Sequence, residues 1–572
     1  MLAVSTALLV GCVAQPGRMA TAPSVDSSAT TWQLAGRART VETPHAMVAS
    51  VHPIASEIGA AIMRQGGNAV DAAVAVGFAL AVVHPAAGNL GGGGFMLVHL
   101  ADGTALALDF RERAPELASR EMYLDSTGLP TRASITGHRA SGVPGSVHGL
   151  VTAHERLGAL PLAKVMAPAI RLAREGFALD ASRARSLQRA ASYLAPFPAS
   201  RRQFLTAEGS GLPEGLLLVQ SDLARTLSAI AEHGAAGFYE GWVAESIVAE
   251  MTRGGGLITH RDLASYNAVW REPVIFTYRS RTVLTMPPPS SGITLAQILS
   301  MLELADTISP FGSSASVHLW AEVLRRAFAD RNQLMGDPVF TTIPVDALLS
   351  RDYAATRFSE ISPDRATPSA AASPGPGERE ETTHYSVVDE DGNAVAVTTT
   401  INGGYGSGVT VSGAGFLLNN EMDDFTVRPG VPNIYGLVQG EANAIAPGKR
   451  MLSSMVPTIL LDERGEAVLI LGSPGGPTII STVAQVLSNV LDHGMTLADA
   501  IAAPRVHHQA LPDTLFYERG GLAPGVVTQL RAMGHIPVER SGYSGEVAAV
   551  GRVLGGWIGV IDPRSGGGAV GY

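Results

Sequence analysis

The sequence predicts a protein of the α+β class, and three observations support this prediction. Residues 141–360 are largely helical in pattern, with apolar residues at helical spacing in segments such as 314–330. Residues 382–572 are rich in strand-like runs instead. Between these parts, residues 362–381 are rich in Pro, Ala, Ser and Gly, which is the composition of a linker. Helices and strands that are segregated along a chain are typical of the α+β class.

Composition restricts the class of protein. Of the 572 residues, 46% are apolar and 16% are charged, whereas about 25% are charged in a typical domain. This supplies enough apolar material for a large buried core. The net charge is −10 and no long basic run is present, which argues against nucleic acid as a partner. We therefore expect a soluble globular enzyme or a binding protein.

The first residues resemble a bacterial export signal that ends in a lipobox, over residues 1–12. Cys12 is the only cysteine, which excludes an internal disulfide. It follows an apolar stretch at 2–10 and precedes a tether-like segment over 13–40. This pattern predicts an exported, periplasmic protein that is held at the membrane by a lipid on Cys12. A plain secretory signal and a start codon placed too late are the alternatives, because no basic residues precede the apolar stretch.

Two helices are predicted near the start of the folded part. Residues 57–83 are helical in composition, and Gly66-Gly67-Asn68 interrupts them. Asn68 is a good N-cap for a second helix, and His84-Pro85 ends that helix.

A glycine-rich loop follows at 88–94, and strands are predicted at 95–100 and 105–110. Successive glycines indicate close approach of the backbone to another backbone or to a ligand. A phosphate-binding loop would need a Gly-Lys-Ser/Thr sequence and a following helix, and the sequence has neither. Arg111 ends the second strand, where a guanidinium can bind a carboxylate or phosphate, although a surface arginine is the simpler interpretation.

The stretch at 378–402, EREETTHYSVVDEDGNAVAVTTTIN, predicts a β-hairpin. Its strands are expected at 385–389 and 394–400, and the Asp391-Gly392 pair is a strong hairpin-turn signal. Thr382 then stands at the head of the hairpin, directly after the linker. The simpler interpretation is a surface loop that leads into an ordinary strand pair. Beyond the hairpin, the sequence predicts strands at 415–419, 458–462 and 467–472 and a helix at 478–492.

Several common catalytic arrangements are missing. The only cysteine is at the N-terminus, no GxSxG sequence is present, and the pair His507-His508 has no partner at zinc-site spacing. A hydroxyl nucleophile whose base is not histidine remains, and a threonine whose own α-amino group is the base meets that need. The reference pKa of that amine, about 7.7–8.0, suits a general base. The peptide bond before the threonine would have to be cut, which a linker tolerates.

Seven motifs in this order resemble the γ-glutamyltranspeptidase (glutathione hydrolase) family: GNLGGGGFM, DFRE, TTHYSVVDEDGNAVAVT, NNEMDDF, PNIYG, KRMLSSM and GSPGG. The resemblance implies a four-layer αββα sandwich of the N-terminal-nucleophile hydrolase type. It also implies a precursor that cuts itself between Glu381 and Thr382. The products would be a large subunit, residues 41–381 including the linker, and a small catalytic subunit, residues 382–572, which stay associated. The family implies no cofactor and no metal.

The resemblance also implies roles for individual residues. Thr382 would be the nucleophile, with Thr400 hydrogen-bonded to it. The backbone N–H groups of Gly475 and Gly476 would form the oxyanion hole. The remaining residues would bind the substrate: Arg111, Ser453 and Ser454 its α-carboxylate, Asn402, Glu421 and Asp424 its α-ammonium, and Tyr435 as part of a lid.

The activity that the resemblance implies is cleavage of glutathione and other γ-glutamyl amides, with transfer of the glutamyl group to water, an amino acid or a peptide. A glutaryl (cephalosporin-type) acylase of the same fold is an alternative, and its substrate lacks the ammonium group. A lipoprotein that only captures glutamyl peptides is another. Singly, Asp423-Asp424 is typical of a turn and Ser453-Ser454 of a helix cap, but the ordered set of motifs favours the enzyme.

Overall fold

The computed structural model describes residues 32–369 and 380–572. The predicted signal at 1–12 and most of the predicted tether therefore lie outside the described residues. The strands are β1 Arg39–Thr43, β2 Met47–Ser50, β3 Gly93–His99, β4 Ala105–Asp109, β5 Phe177–Ala178, β6 Leu217–Leu218, β7 Val269–Arg271, β8 Val274–Tyr278, β9 Arg281–Thr285, β10 Glu380–Val388, β11 Ala394–Gly403, β12 Thr458–Leu461, β13 Ala467–Leu471, β14 Val506–His507, β15 Leu515–Tyr517, β16 Pro537–Glu539, β17 Ala548–Val553, β18 Gly556–Ile561 and β19 Gly568–Gly571.

The helices are α1 Pro53–Arg64, α2 Ala69–Val83, α3 Ser146–Leu157, α4 Leu162–Glu175, α5 Ala181–Leu194, α6 Pro198–Phe204, α7 Ser221–His233, α8 Ala236–Tyr239, α9 Gly241–Gly254, α10 His260–Ala264, α11 Gly292–Glu303, α12 Ser314–Leu334, α13 Val345–Leu349, α14 Arg351–Ser359, α15 Thr478–Leu491, α16 Leu497–Ala502 and α17 Pro524–Ala532. Within the described part of the chain, none of them combines the length and apolar character that crossing a membrane requires.

Two seven-stranded sheets form the centre of the molecule. One has the strand order β1-β18-β17-β13-β12-β9-β8, and the other β19-β2-β10-β11-β3-β4-β7. The sheets contact each other through β10 and β17, and also through β2 and β18. Helices α1, α2 and α3 pack on the second sheet, and α11 and α16 contact the first. This order of helices, sheet, sheet and helices is the four-layer αββα arrangement that the family resemblance implies, and the α+β class is confirmed.

The predicted helix restart at Asn68 is confirmed. The Asn68 side chain accepts hydrogen bonds from the N–H groups of Val70 and Asp71, and the Asp71 carboxylate accepts one from the Asn68 N–H. This reciprocal capping begins α2, whose residues are all buried between other elements. Because α2 is apolar on every side, its position in the core does not depend on one amphipathic face.

The predicted hairpin is also confirmed, and it lies in the middle of the second sheet. Strand β10 pairs with β2 on one side and β11 on the other, and β11 pairs with β3. The glycine-rich loop allows the close approach that its sequence predicts, since a Cβ on Gly92 would lie 2.0 Å from the Thr400 carbonyl oxygen. The end of β11 is therefore held tightly against the loop before β3.

Each sheet contains strands from both sides of residue 381, paired with one another. The division between residues 41–381 and 382–572 is therefore not a boundary between two compact units. Separating the two parts would break strand pairing in both sheets and expose both inner faces. Cleavage at residue 381 would leave the two products held together by this shared core.

One sequence prediction of secondary structure is incomplete and another is wrong. The region 141–360 is largely helical as expected, with helices α3 to α14, but it also contains strands β5 to β9. Of these, β8 and β9 form a hairpin whose turn residues Arg279 and Ser280 have positive φ. That turn lacks the usual Asn-Gly or Asp-Gly signal. The strand expected at 415–419 is absent, because only Leu417 and Leu418 form isolated bridges there.

Candidate active site

Thr382 lies near the start of β10 and pairs directly with Thr400 on β11. The Thr382 hydroxyl donates a hydrogen bond to the Thr400 hydroxyl at 3.4 Å, and the Thr400 hydroxyl accepts one from the Asn402 N–H at 2.8 Å. Both threonines are buried. The pairing of β10 with β11 is irregular between Glu380 and Thr382, so the regular ladder begins at the predicted nucleophile.

His384 follows two residues later and therefore lies on the same face of β10 as Thr382. Its Nδ1 lies 2.8 Å from the Thr398 hydroxyl and its Nε2 lies 3.1 Å from the Ser386 hydroxyl. Burial lowers the pKa of His384 to about 3, so this imidazole is neutral at working pH. Both ring nitrogens are engaged away from Thr382, which leaves the hydroxyl without a histidine base among these contacts.

Arg111 follows β4 and is the centre of a buried ion cluster. Its Nη1 lies 2.7 Å from Glu421 and 3.4 Å from Glu112, and its Nη2 contacts Asp424. Glu421 and Asp424 share a single 3-10 turn, Glu421–Asp424, which places both carboxylates on the same guanidinium. The residues predicted to bind a carboxylate and an ammonium group separately are therefore in direct contact here.

This cluster has more acidic than basic groups. Burial raises the pKa of Glu112 to about 8 and the pKa of Glu421 well above its ordinary value, although Arg111 opposes both shifts. Three carboxyl groups that share one guanidinium in a buried position favour an additional cation. Glu112 was not among the predicted site residues, although its position beside Arg111 in the sequence could have suggested it.

A second arginine, Arg331 of α12, lies on another wall of the site. Its Nη2 donates to the Ser454 hydroxyl at 3.0 Å, and its Nε donates to the Ser291 hydroxyl at 2.8 Å. Ser291 in turn donates to the Ser453 carbonyl at 2.5 Å. Arg331 was not among the predicted site residues, because a charged residue in a helical segment is ordinarily exposed.

Gly475 and Gly476 form the turn before α15, with φ values of 131° and 51°. Side chains are disfavoured at both values, so glycine is required here for the backbone conformation. Within the described residues neither N–H donates a hydrogen bond. The turn stands at the N-terminus of α15, where the partial positive charge of the helix end favours a developing oxyanion.

Asn402 and Tyr435 close the site from another direction. The Tyr435 hydroxyl donates to the Asn402 carbonyl at 2.9 Å, and the Asn402 side-chain amide donates to the Asn420 carbonyl at 3.0 Å. Asn402 has φ 73°, a left-handed conformation that asparagine tolerates better than most residues. Tyr435 thus covers the end of β11, which is the position that a lid residue would need.

One small cavity brings these residues together. Every predicted site residue except Gly475 lines it, and Gly475 is the neighbour of a lining residue. The lining residues are Arg111, Arg331, Thr382, Thr400, Asn402, Glu421, Asp424, Tyr435, Leu437, Gln439, Leu452, Ser453, Ser454, Met455, Gly476 and Ile479. The roles assigned to them stay predictions, but their convergence from distant parts of the chain is a property of the structure.

Among the described residues, one group of side chains has the arrangement of possible metal ligands, namely His318, Glu322 and His535. None of the three lines the cavity at Thr382. The Glu322 carboxylate already pairs with Arg325 and Arg326, so a cation would have to compete with two guanidinium groups. We assign no metal to this group.

The sequence matches the family model described as gamma-glutamyltranspeptidase over residues 55–572. It is 47% identical to the glutathione hydrolase proenzyme of Escherichia coli strain K12, over 92% of this chain and 91% of that protein. It is 39% identical to the acylase ACY 1 proenzyme of Pseudomonas sp. strain SE83, over 88% of this chain and 89% of that protein.

Similarity to solved structures extends over the whole chain. The structure of a cephalosporin acylase from Bacillus halodurans superposes with a TM-score of 0.83 and 27% sequence identity, covering 98% of this chain and 99% of that one. The match of the family model to most of the chain agrees with the Thr382 cavity and the four-layer fold. The chain belongs to the γ-glutamyltranspeptidase family of enzymes.

Proposed function

We propose that this enzyme cleaves glutathione and other γ-glutamyl amides through an acyl-enzyme on Thr382, and that water, an amino acid or a peptide accepts the glutamyl group. The observation that carries the proposal is the shared cavity of the Thr382–Thr400 hydroxyl pair and two separate arginine-centred groups. A γ-glutamyl donor presents an α-carboxylate and an α-ammonium group next to its reacting amide. The cavity offers groups of both signs beside a hydroxyl nucleophile.

Maturation would be an intramolecular acyl shift. The Thr382 hydroxyl attacks the Glu381 carbonyl carbon, the bond from that carbon to the Thr382 nitrogen breaks, and an ester forms. The nitrogen takes the hydroxyl proton as this bond breaks, which frees the α-amino group of Thr382. Water then hydrolyses the ester, which leaves a carboxylate on Glu381 and restores the Thr382 hydroxyl. Thr400 supports this step because it already accepts a hydrogen bond from the attacking hydroxyl.

Catalysis would use the amine that maturation frees. The amine takes the hydroxyl proton, the Thr382 oxygen attacks the γ-carbonyl carbon, and the oxyanion receives hydrogen bonds from the N–H groups of Gly475 and Gly476. The leaving amine takes the proton as the amide bond breaks, and a γ-glutamyl ester remains on Thr382. Water or an acceptor amine then attacks that ester and restores the hydroxyl.

The alternative activity is that of a glutaryl acylase, and the similarity to the cephalosporin acylase structure favours the shared fold. The cavity favours γ-glutamyl donors instead. Glu112, Glu421 and Asp424 surround one guanidinium, and a glutaryl group has no cation to relieve this excess of acid. The relative named glutathione hydrolase is also more similar in sequence than the relative named acylase.

Thr382→Val and Thr383→Val are a matched pair of variants that tests the proposal. Valine keeps the shape of threonine and removes only the hydroxyl. Thr383 is the adjacent residue, and its buried hydroxyl has no hydrogen-bond partner among the described residues. We expect Thr382→Val to remain one chain on a denaturing gel and to release no product from a γ-glutamyl anilide. Thr383→Val should give two bands and near wild-type release, and active, uncut Thr382→Val protein would refute the nucleophile assignment.

We further propose that the protein is exported and carries a lipid on Cys12, which lies outside the described residues. The support is the Leu-Val-Gly-Cys sequence at 9–12 behind an apolar stretch. One acyl chain anchors a protein only weakly, so stable attachment requires two or more chains. Cys12→Ala should move the protein from the membrane fraction to the soluble periplasmic fraction with its activity intact. An unmodified Cys12 in the mature protein, detected by mass spectrometry, would refute the lipid.

A further inference from the structure

Arg331 is a buried cation without an acidic partner among the described residues. Its side chain is almost completely buried, and it donates only to the neutral oxygens of Ser291, Asn332 and Ser454. Burial lowers the pKa of its guanidinium to about 10, which still leaves the group charged at neutral pH. An unpaired buried charge destabilises a protein strongly unless something compensates it. A function in binding would explain why the charge is kept.

Arg111, the other arginine of the cavity, differs from Arg331 in this respect. Three carboxyl groups, those of Glu112, Glu421 and Asp424, lie within 3.4 Å of its guanidinium. Its charge is therefore largely compensated inside the protein. Both arginines line the same cavity, and Arg331 is the one without a direct ion pair among the described residues, since Asp424 stabilises its charge only from a greater distance.

Arg331 also determines how Ser454 can use its hydroxyl. A hydroxyl that accepts a hydrogen bond from a guanidinium directs its own proton elsewhere, and it donates more strongly when it is polarised in this way. The contact from Arg331 thus prepares the Ser454 hydroxyl to donate into the cavity. Through Ser291, the same guanidinium is also linked to the Ser453 carbonyl, so it contacts the Ser454 side chain directly and the Ser453 backbone through one hydroxyl.

We propose that Arg331 is a positioning residue for the substrate's α-carboxylate, which orients Ser454 as a donor and supplies the positive charge that Arg111 shares among its acidic neighbours. This inference rests on the proposed function, because it assigns one more residue to the same substrate site. It predicts that Arg331 matters only for donors that carry an α-carboxylate.

Two donors distinguish this role from general stability, a γ-glutamyl anilide and a 4-aminobutanoyl anilide. The second keeps the ammonium group and the reacting amide but lacks the α-carboxylate. Arg331→Met removes the charge and keeps most of the side-chain volume. We expect its KM for the γ-glutamyl anilide to rise about 10- to 100-fold, and its kcat/KM for the 4-aminobutanoyl anilide to stay within about threefold of wild type.

Arg326→Met is the matched control. Arg326 is a buried arginine of the same helix that does not line the cavity, and Arg325 still pairs with Glu322 when it is replaced. The ratio of the two donors should be unchanged in this variant. The proposal would be overturned if Arg331→Met kept the wild-type ratio of kcat/KM between the two donors, whether both values fell equally or neither changed.

Arg331→Lys gives a second test if Arg331→Met does not mature into two chains. Lysine keeps the charge but cannot contact Ser291 and Ser454 with one planar fork. We expect a rise in KM of about 3- to 10-fold for the γ-glutamyl anilide alone, and equal changes for both donors would overturn the proposal. Failure of the proposed function has a different signature, because wild-type enzyme would then not prefer the γ-glutamyl donor at all.

Discussion

A buried threonine hydroxyl becomes a nucleophile only where another group can take its proton. At Thr382, the neighbouring Thr400 hydroxyl accepts a hydrogen bond, while the imidazole of His384 is neutral and engaged with Thr398 and Ser386. The α-amino group that cleavage would free is then the nearest base that the chemistry provides. The structure thus supports the same solution that the missing cysteine and histidine motifs suggest in the sequence.

Asp424 contacts Arg111 and lines the cavity, so its charge can be tested by a single substitution. Asp424→Asn keeps the shape and removes one negative charge from the acid-rich side of the site. Transfer from a γ-glutamyl donor should fall about 30- to 1000-fold in kcat/KM, or about 2–4 kcal/mol, because a charged ammonium loses its partner. The kcat/KM for a glutaryl anilide should fall much less, so the ratio of kcat/KM for the γ-glutamyl donor to that for the glutaryl donor should decrease.

The measurement is kcat/KM for both donors with both proteins. Asp462→Asn is a suitable control, since Asp462 lies in the turn after β12 and accepts backbone hydrogen bonds there. A wild-type preference for the glutaryl donor would contradict the ammonium-site assignment. An unchanged ratio in Asp424→Asn would contradict it as well.

Most of the candidate site could be predicted from the sequence because its residues fall in short, ordered motifs. Glu112 belongs to one of these motifs, DFRE, although it was not among the predicted site residues, whereas Arg331 lies outside all of them. Arg331 comes from α12, and its proposed function depends on its hydrogen bond to Ser454, which lies more than a hundred residues away. The motifs also do not reveal that Arg111, assigned by the resemblance to the α-carboxylate, contacts Glu421 and Asp424, which are assigned to the α-ammonium group.

At the scale of single elements, the sequence predicted those features that depend on residues close together in the chain. The capping at Asn68 and the Asp391-Gly392 turn depend on neighbours within a few residues, and both predictions are confirmed. Strands β8 and β9 depend on partners elsewhere in the chain, because β9 completes its pairing with β12. Propensity in a short segment does not reveal such a partner. The segment at 415–419 is the opposite case, since it has strand composition but forms only isolated bridges.

The turn before α15 gives a prediction at this scale. Gly476→Ala places a side chain at φ 51° and shifts the N–H that the oxyanion would use. The change should destabilise the fold by about 1–2 kcal/mol and lower kcat by about 100-fold. The loss of stability and the loss of kcat should both result from the change in this turn. The loss of kcat should be larger than the lower stability alone would cause.

Gly494→Ala separates the two effects. Gly494 follows the other end of α15 with φ 61°, and an added Cβ there would meet no atom within 4 Å. This variant should lose similar stability in thermal unfolding and keep its kcat. If the two variants lost activity to the same extent, the oxyanion assignment of the turn would be wrong.

At the scale of the whole molecule, buried histidines couple stability to pH. Burial lowers the pKa of His52, His384 and His507 to about 3, and of His535 to about 4. In the unfolded chain these groups return to about 6.5. Below that pH the unfolded state binds more protons than the folded state, so stability falls as the pH falls from about 6.5 towards 4. Each group contributes up to about 1.4 kcal/mol per pH unit in this window.

The buried Glu112 carboxyl group changes stability with pH in the opposite direction to the histidines. Its pKa is raised to about 8, so the folded state holds a proton that the unfolded state has released between about 4.5 and 8. Stability from this group is complete below about pH 4.5 and is lost as the pH rises towards 8. Glu421, whose pKa burial also raises, changes stability in the same direction as Glu112. The histidines and these two carboxyl groups together predict greatest stability near neutral pH, where the four histidine losses have ended and the carboxyl losses are incomplete.

His52→Asn tests the histidine part of this account. His52 is the N-cap of α1, and its Nδ1 accepts a hydrogen bond from the Ile54 N–H at 3.2 Å. Asparagine is a favoured N-cap and can accept the same bond, so the variant removes a titrating group without removing the cap. The uncut Thr382→Val protein is the suitable background, because its unfolding does not involve dissociation of two chains. Urea unfolding at pH 5 and pH 6 should show that His52→Asn loses about 1.2 kcal/mol less stability over this interval than its parent. Equal losses in the two proteins would mean that His52 is protonated in the folded state, contrary to its burial against the Phe177 ring.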